Sequence, residues 1–531
     1  MRRPLLFIVA ASLCACEGDP VELPGDAAHP VVSAAPAAVL HAAPAREDEP
    51  GTEPSPLPPT EDLPVAAEMP TEVERASSRF VRRTVTPRLR GKALAHRVYQ
   101  ARFGPTQLTD EPTDAKPEEE KRPAERLEQS KWLAWISAAL GFAAVSGRPA
   151  ATAAHVDCGT MHYGGAVSTA WRTNLPVVIT AGFPPTAYAG TAKGGRDEGG
   201  HLWMQETYDQ NGILRNYTKW DHRMTAQDNP GMIVSRAIQV TRSEPCGPVY
   251  LSFPKELTLQ DMDGAQFPSA EQLGIPRATA PDTDAVAEIA ERLVAAKHPV
   301  VVVAGSGRDP KTVPALVALA ELLGLAVVES VQRAYMCFPF RHHLYQSQAT
   351  LADADVVLVL DADVPWIPGN NSPGQDTYIA AVGIDPIKLR IPTYEFTADI
   401  RIAADSGLTI SALAAAAKKL LKPEDVDRIE SRSARLADAS RDRVEALERK
   451  AIASSESTPI DPLWLSYNVG QLLDDNSVLL DDMLGNNSAP DYLACSRPGS
   501  YFSNPGSSGG WAPGAALGAK LAAPERDIIA I

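Results

Sequence analysis

Residues 299–307 read Pro-Val-Val-Val-Val-Ala-Gly-Ser-Gly. A short β-branched run closed by glycine suits a parallel strand buried on both faces. Before it, Asp284–Lys297 places Val286, Ile289, Leu293 and Val294 on one helical face, and Pro299 closes off that helix. A second helix is expected at 313–323. Strands are expected at Val300–Ala304, Ala326–Glu329, Val356–Leu360, Tyr378–Ile384 and Ile400–Ala403. This alternation predicts an open, doubly wound parallel sheet with helices on both faces. The Gly305-Ser306-Gly307 turn either only turns the chain or cradles a phosphate at a helix N-terminus.

The same pattern extends outward. Pro176-Val-Val-Ile-Thr-Ala-Gly182 and Val249-Tyr-Leu-Ser-Phe253 read as two further buried strands. Trp132–Ala144 is helix-favouring and is stopped by Gly147-Arg148-Pro149, and 258–282 reads as a linker. Downstream, a long polar helix is expected at 423–453 and a strand at Ser477–Leu480. A Gly/Ser-rich stretch at 499–510, an Ala-rich helix at 512–523 and a strand at Asp527–Ile531 complete the reading. Tyr501–Pro505 reads as a poor strand. The predicted class is α/β, with three doubly wound parallel-sheet modules at 126–260, 280–420 and 458–531, the first and last incomplete.

The first 125 residues differ in kind. Arg2 and Arg3 precede an apolar run, Leu5–Ala15, too short to span a bilayer. It ends in Leu13-Cys14-Ala15-Cys16, which resembles a bacterial lipobox with Cys16 as the lipid-bearing residue. Residues 1–16 are therefore expected to be a signal segment that exports the chain and anchors it to a membrane through Cys16; without that signal the chain is cytoplasmic. Residues 17–125 hold much of the chain's 46 prolines and very few aromatics, which predicts a disordered linker. Within it, the arginines and lysine between Arg79 and Arg102 form either a solvated basic helix or an interaction surface. The net charge of −16 argues against nucleic acid as a partner. The six cysteines form no Cys-x-x-Cys pair, so no metal knuckle is expected.

Gly506-Ser507-Ser508-Gly509-Gly510 matches a nucleophile elbow by letter. An elbow needs a strand directly before it and a histidine later in the chain, and no histidine follows. Hydrolase chemistry is excluded on that ground, and no His-Glu-x-x-His or Walker loop is present.

A family pattern runs through the ordered region. It begins with His155-Val-Asp-Cys-Gly-Thr-Met-His162, Tyr163-Gly-Gly-Ala-Val-Ser-Thr-Ala170 and Asn174-Leu-Pro-Val-Val-Ile-Thr-Ala-Gly182. It continues with His201-Leu-Trp-Met-Gln-Glu206, Asp209-Gln210, Tyr217-Thr-Lys-Trp220 and Glu244-Pro-Cys-Gly-Pro-Val-Tyr-Leu251. Arg497–Phe502 and Trp511–Arg526 follow. In this order the pieces resemble the acetolactate-synthase-like enzymes that use thiamine diphosphate, over about 126–531.

The resemblance implies 2-oxo-acid decarboxylation or carboligation, thiamine diphosphate held with Mg²⁺, and a homodimer or homotetramer. FAD is a further cofactor that some such enzymes carry. The implied catalytic glutamate is Glu128; nine residues before Gly141, where the family places it, stands Trp132, and Glu128 lies one helical turn earlier. Asp482, Asn486, Asn487, Ser507, Ser508, Gly509 and Gly510 are the implied cofactor-binding residues. His155, Gly159, Gln205 and Glu206 are the implied substrate-pocket residues, and no metal ligand is assigned. Gly509 takes the place of a bulky apolar prop under the cofactor. Pro-rich sequence stands where the first strand and helix of the pyrimidine domain belong, and the Gly-Asp-Gly metal motif would begin within a few residues of Ile531. Two expectations stay open: a thiamine-diphosphate enzyme acting on a 2-oxo acid, or a catalytically inactive exported paralogue, or fragment, that serves as a binding or structural module.

Overall fold

The computed structural model describes residues 124–531 apart from 198, 263, 331, 347–350, 484–488, 494 and 507, and gives only the backbone for 124–133, 489 and 490. Cys16, the signal segment, nearly all of the linker, Asn486, Asn487 and Ser507 lie outside the described residues.

The first unit opens with helix α1 (Ala124–Ser146), strand β1 (Ala150–Ala154), α2 (Val156–His162) and α3 (Gly164–Arg172). β2 (Val177–Phe183), the short α4 (His201–Met204), β3 (Asp221–Arg223), α5 (Pro230–Arg242), β4 (Val249–Pro254) and α6 (Lys255–Thr258) complete it. Its sheet is parallel, in the order β1-β2-β4-β3. β1, Ala-Ala-Thr-Ala-Ala, carries no strand signal in its sequence. It is a strand because Ala150–Ala154 pair residue for residue with Val177–Ala181.

The central unit runs α7 (Thr283–Ala295), β5 (Pro299–Val303), α8 (Thr312–Leu323), β6 (Ala326–Glu329), β7 (Val356–Leu360), β8 (Tyr378–Gly383), β9 (Ile400–Ala403) and α9 (Ser406–Leu420). The sheet order is β6-β5-β7-β8-β9, all parallel. Asp282 caps α7 by accepting from Asp284 N (3.1 Å) and Ala285 N (2.9 Å). Val286, Ile289, Leu293 and Val294 are buried on the sheet, and every residue of β5 is buried.

Helix α10 (Pro423–Ala453) then crosses to the third unit, made of α11 (Pro462–Leu472), β10 (Ser477–Asp481), α12 (Ala489–Tyr492), β11 (Tyr501–Ser503), α13 (Trp511–Ala522) and β12 (Asp527–Ala530). The third sheet is parallel, in the order β11-β10-β12. The expectation of a poor strand after Tyr501 is corrected here. Tyr501–Ser503 pair with Leu479–Asp481, so tertiary pairing supplies what local propensity does not.

Arg432 of α10 ties the long helix to the central unit. Its guanidinium donates to the carbonyls of Gly324 (2.9 Å), Ala296 (2.8 Å) and Leu323, at the C-terminal ends of α7 and α8. Those carbonyls lack partners within their own helices and carry the negative end of the helix dipole, so a cation suits them.

Candidate cofactor site

β10 carries Asp481 and Asp482 to the carboxyl edge of the third sheet, where ligands of parallel α/β sheets bind. Asp482 Oδ2 accepts from Gly510 N (2.8 Å) and Ala512 N (3.3 Å), at the N-terminus of α13. Gly510 has φ +88°, a left-handed conformation that glycine adopts without cost. Asp482 Oδ1 is buried without a hydrogen-bond partner among the described residues, and so is Trp511 Nε1. Neighbouring Asp481 accepts from Tyr501 Oη (2.7 Å) and from Met483 N (2.9 Å), and burial raises its carboxyl pKa.

Ser508 is placed by the first unit. Its carbonyl accepts from Asn504 Nδ2 (2.7 Å), and Asn504 Oδ1 accepts from Thr169 Oγ1 (3.1 Å) on α3. A side chain at Gly165 would collide with Ser508 Oγ. Ser508 thus packs on α3, which ordered-loop chemistry accounts for as well as phosphate contact does.

Three glycines bring α13 and α1 together. A Cβ at Gly141 would overlap the Ala515 carbonyl, one at Gly518 the Ala138 carbonyl, and one at Gly514 the Ser137 side chain. Gly514 meets Ala134 and Ser137 while Gly518 meets Ala138 and Phe142, so the two helices run parallel. The first turns of α1, with Glu128, therefore lie toward the same end as Gly510 and Asp482, about 9 Å along the axis before Ala134.

The carboxyl edge of the first sheet holds the other predicted residues. His155 Nε2 and Gln205 Nε2 are 3.4 Å apart. Glu206 is ion-paired with Arg196, whose Nε donates to the Pro185 carbonyl (2.8 Å). Gly159 has a packing role: a Cβ there would come within 3.2 Å of the Ala154 backbone. Val156, the first residue of α2, has φ +36°, a strained value for a β-branched residue.

Two residues outside the predicted set stand out. Gln210 Nε2 donates to the Gly182 carbonyl and to Tyr250 Oη, both at 2.8 Å, while its Oε1 is buried without a partner among the described residues. Glu256 Oε1 accepts from Thr186 N (2.9 Å) and Ala187 N (3.1 Å), and its Oε2 is likewise orphaned. Gln210 lay within the quoted Asp209-Gln210 pair; Glu256 had no signal, because its partners come from a loop 69 and 70 residues away.

Comparison with known proteins now bears on this arrangement. Residues 133–213 match the model for the N-terminal TPP binding domain of thiamine pyrophosphate enzymes, and residues 286–413 match the model for the central domain of those enzymes. Over these two stretches the chain is similar to the thiamine pyrophosphate enzymes. It is 26% identical over 412 residues to a benzoylformate decarboxylase of Pseudomonas aeruginosa, covering 75% of this chain and 71% of that protein. It is 24% identical over 409 residues to an acetolactate synthase of Mycobacterium bovis, covering 74% of this chain and 63% of that one. Among solved structures, a thiamine diphosphate-dependent 4-hydroxybenzoylformate decarboxylase of Rhodococcus jostii matches with a TM-score of 0.56 at 22% identity, over 75% of this chain and 72% of the other. That likeness concerns the fold.

The donor chemistry at the third sheet fits a hard metal ion. Asp482 Oδ1, unpaired among the described residues, is a hard oxygen of the kind Mg²⁺ takes. No group of three or more His, Cys, Asp or Glu side chains that could hold a metal ion occurs among the described residues.

The strand order of the central sheet reverses between β5 and β7, which marks its ligand crevice, bounded by Gly305 and Asp361. That crevice encloses about 90 Å³, room for roughly three waters. Its walls are joined across the two units by the Arg308–Glu244 ion pair (2.7 Å), and Arg390 stacks 3.8 Å from the Trp171 ring centroid. The Gly305-Ser306-Gly307 turn is packed as well, since a Cβ at Gly307 would overlap the Met336 carbonyl. Its glycine is there for close packing.

Proposed function

We propose that this chain binds thiamine diphosphate with Mg²⁺ and acts on a 2-oxo acid, as a decarboxylase or carboligase. The observation that carries the reading is Asp482, a carboxylate just after β10 with one oxygen on the N-terminus of α13 and the other buried and, among the described residues, unpaired. In this reading Asp482 Oδ2 holds the N-terminus of α13 and Oδ1 ligates the cation. Glu128 supplies the carboxylate that holds the aminopyrimidine. The bound cofactor would supply the electron sink for the carbanion formed on decarboxylation. Gln205 and His155 orient the substrate at the edge of the first sheet. The match to a benzoylformate decarboxylase supports a 2-oxo acid as substrate.

A second reading is favoured by the same side chain. Asp482 already satisfies the α13 N-terminus, as a built-in anion would, which suits a protein that keeps the scaffold without turnover. Titration calorimetry of the full chain with thiamine diphosphate, with and without Mg²⁺, separates the two. Micromolar, Mg²⁺-dependent binding followed by CO₂ release from benzoylformate or pyruvate supports the enzyme. Absence of binding at millimolar cofactor refutes it and leaves the scaffold reading. We further propose export and lipid anchoring through Cys16, tested by fatty-acid labelling of the wild type against Cys16→Ser, and a homodimer or homotetramer, tested by light scattering.

A further inference from the structure

The segment Ala334–Phe340, which follows β6, is held from two sides. On one side it lies along the third sheet: Ser503 N donates to Ala334 O (2.9 Å), Met336 N to Tyr501 O (3.3 Å) and Phe340 N to Cys495 O (3.1 Å). On the other side Glu329, the last residue of β6, accepts from Cys337 N (2.7 Å) and Phe338 N (3.2 Å) through Oε1. One carboxylate of the central sheet therefore pins the segment onto which the third sheet is paired.

The surroundings of that carboxylate are unbalanced. The Glu329 side chain is fully buried, and its Oε2 lies 3.4 Å from Arg333 Nε, with neither atom in a hydrogen bond among the described residues. Arg333 is shared: its guanidinium lies 5.6 Å from the Tyr501 ring centroid, and Tyr501 donates to Asp481. From α10 and α12, Arg443 pairs with Asp491 at 2.7 Å. Asp491 is also attracted to the Arg341 guanidinium, so its charge is met without Glu329. The other titratable groups facing Glu329 are Cys337, Tyr345 and Cys495, and burial pushes each of them up, so all three stay neutral. Glu329 Oε2 is left without a hydrogen-bond donor among the described residues, and a proton is the simplest species that satisfies it.

We propose that Glu329 is a proton-binding switch for the joint between the central sheet and the third sheet. Burial lifts its carboxyl to about 7, against an ordinary value of 4.5. The folded state therefore binds the proton more tightly than the unfolded chain does. Stability is full while Glu329 is protonated in both states and falls as pH rises from the unfolded value through the folded one. The joint grips most firmly on the acid side of neutrality and loosens above it. Because β10 ends at Asp481 and Asp482, loosening the joint also frees the end of the strand that caps α13. This inference stands apart from the proposed catalytic role, since its test contains no cofactor.

The test is urea unfolding of the full chain between about pH 5.5 and about pH 8, for the wild type and Glu329→Gln, which keeps the acceptor oxygen and removes the titration. The wild-type folding constant should fall by roughly 30-fold over that range, and the variant should lose most of this dependence. An equal pH dependence in both proteins overturns the proposal. If the variant does not fold, amide exchange of the wild type decides. Exchange at 336–340 and 501–503, corrected for intrinsic rates, should speed up with pH relative to β7 and β8. A uniform response across all these segments overturns it.

Discussion

The contact between α1 and α13 is made by glycines, and one substitution tests it directly. A Cβ at Gly518 would overlap the carbonyl of Ala138 and come within 2.8 Å of Phe142 N. Both obstacles are backbone atoms, so no side-chain rotation relieves them. The helices must move apart, and buried Trp511, Ala515, Ala519, Ile136 and Leu140 lose contact. Overpacking of this kind costs about 3 kcal/mol at its upper range. Replacing glycine by alanine inside a helix returns about 1 kcal/mol. Gly518→Ala should therefore destabilise by about 2 kcal/mol. Gly164→Ala is the control, because its Cβ would meet nothing within 4 Å. It should be neutral or stabilise by about 0.5 kcal/mol. Urea midpoints from far-ultraviolet circular dichroism read both. Equal stability of the two variants would refute the claim that α1 and α13 are in backbone contact.

Other substitutions probe the site and its supports. Asp482→Ala should cost about 1 kcal/mol through loss of the α13 cap and should abolish Mg²⁺-dependent binding of thiamine diphosphate, read by unfolding and calorimetry. Tyr501→Phe leaves the buried Asp481 with one donor fewer and should destabilise by about 1–3 kcal/mol, with a larger loss at high pH, where Asp481 is ionised. Arg432→Met strands three helix-terminal carbonyls and should lower stability by about 3 kcal/mol in the same unfolding assay.

The central sheet was legible because each strand is a short β-branched run and each helix has an apolar stripe. Val300, Val356 and Tyr378 announced β5, β7 and β8 without any help from their neighbours. The Ala-rich α13 was also legible, and so was Asp482 as a strand-end residue of interest. The family pattern, spread over the ordered region, pointed to the cofactor before any geometry was known.

What sequence could not decide is set by contacts between distant residues. β1 is Ala-Ala-Thr-Ala-Ala, a strand only because β2 lies beside it. Asp482 becomes a helix cap only when Gly510, 28 residues later, folds back to it. Ser508 is fixed by Asn504, which bonds Thr169 from 335 residues away. Glu329 reads locally as the polar end of a strand; only the third sheet turns it into a buried acid without a full partner. Local propensity and periodicity depend on nearest neighbours, so sequence alone determined the elements and the family resemblance. Burial depends on how the sheets close on one another, and the tertiary structure alone decided which carboxylates cap a helix and which are buried without a partner among the described residues.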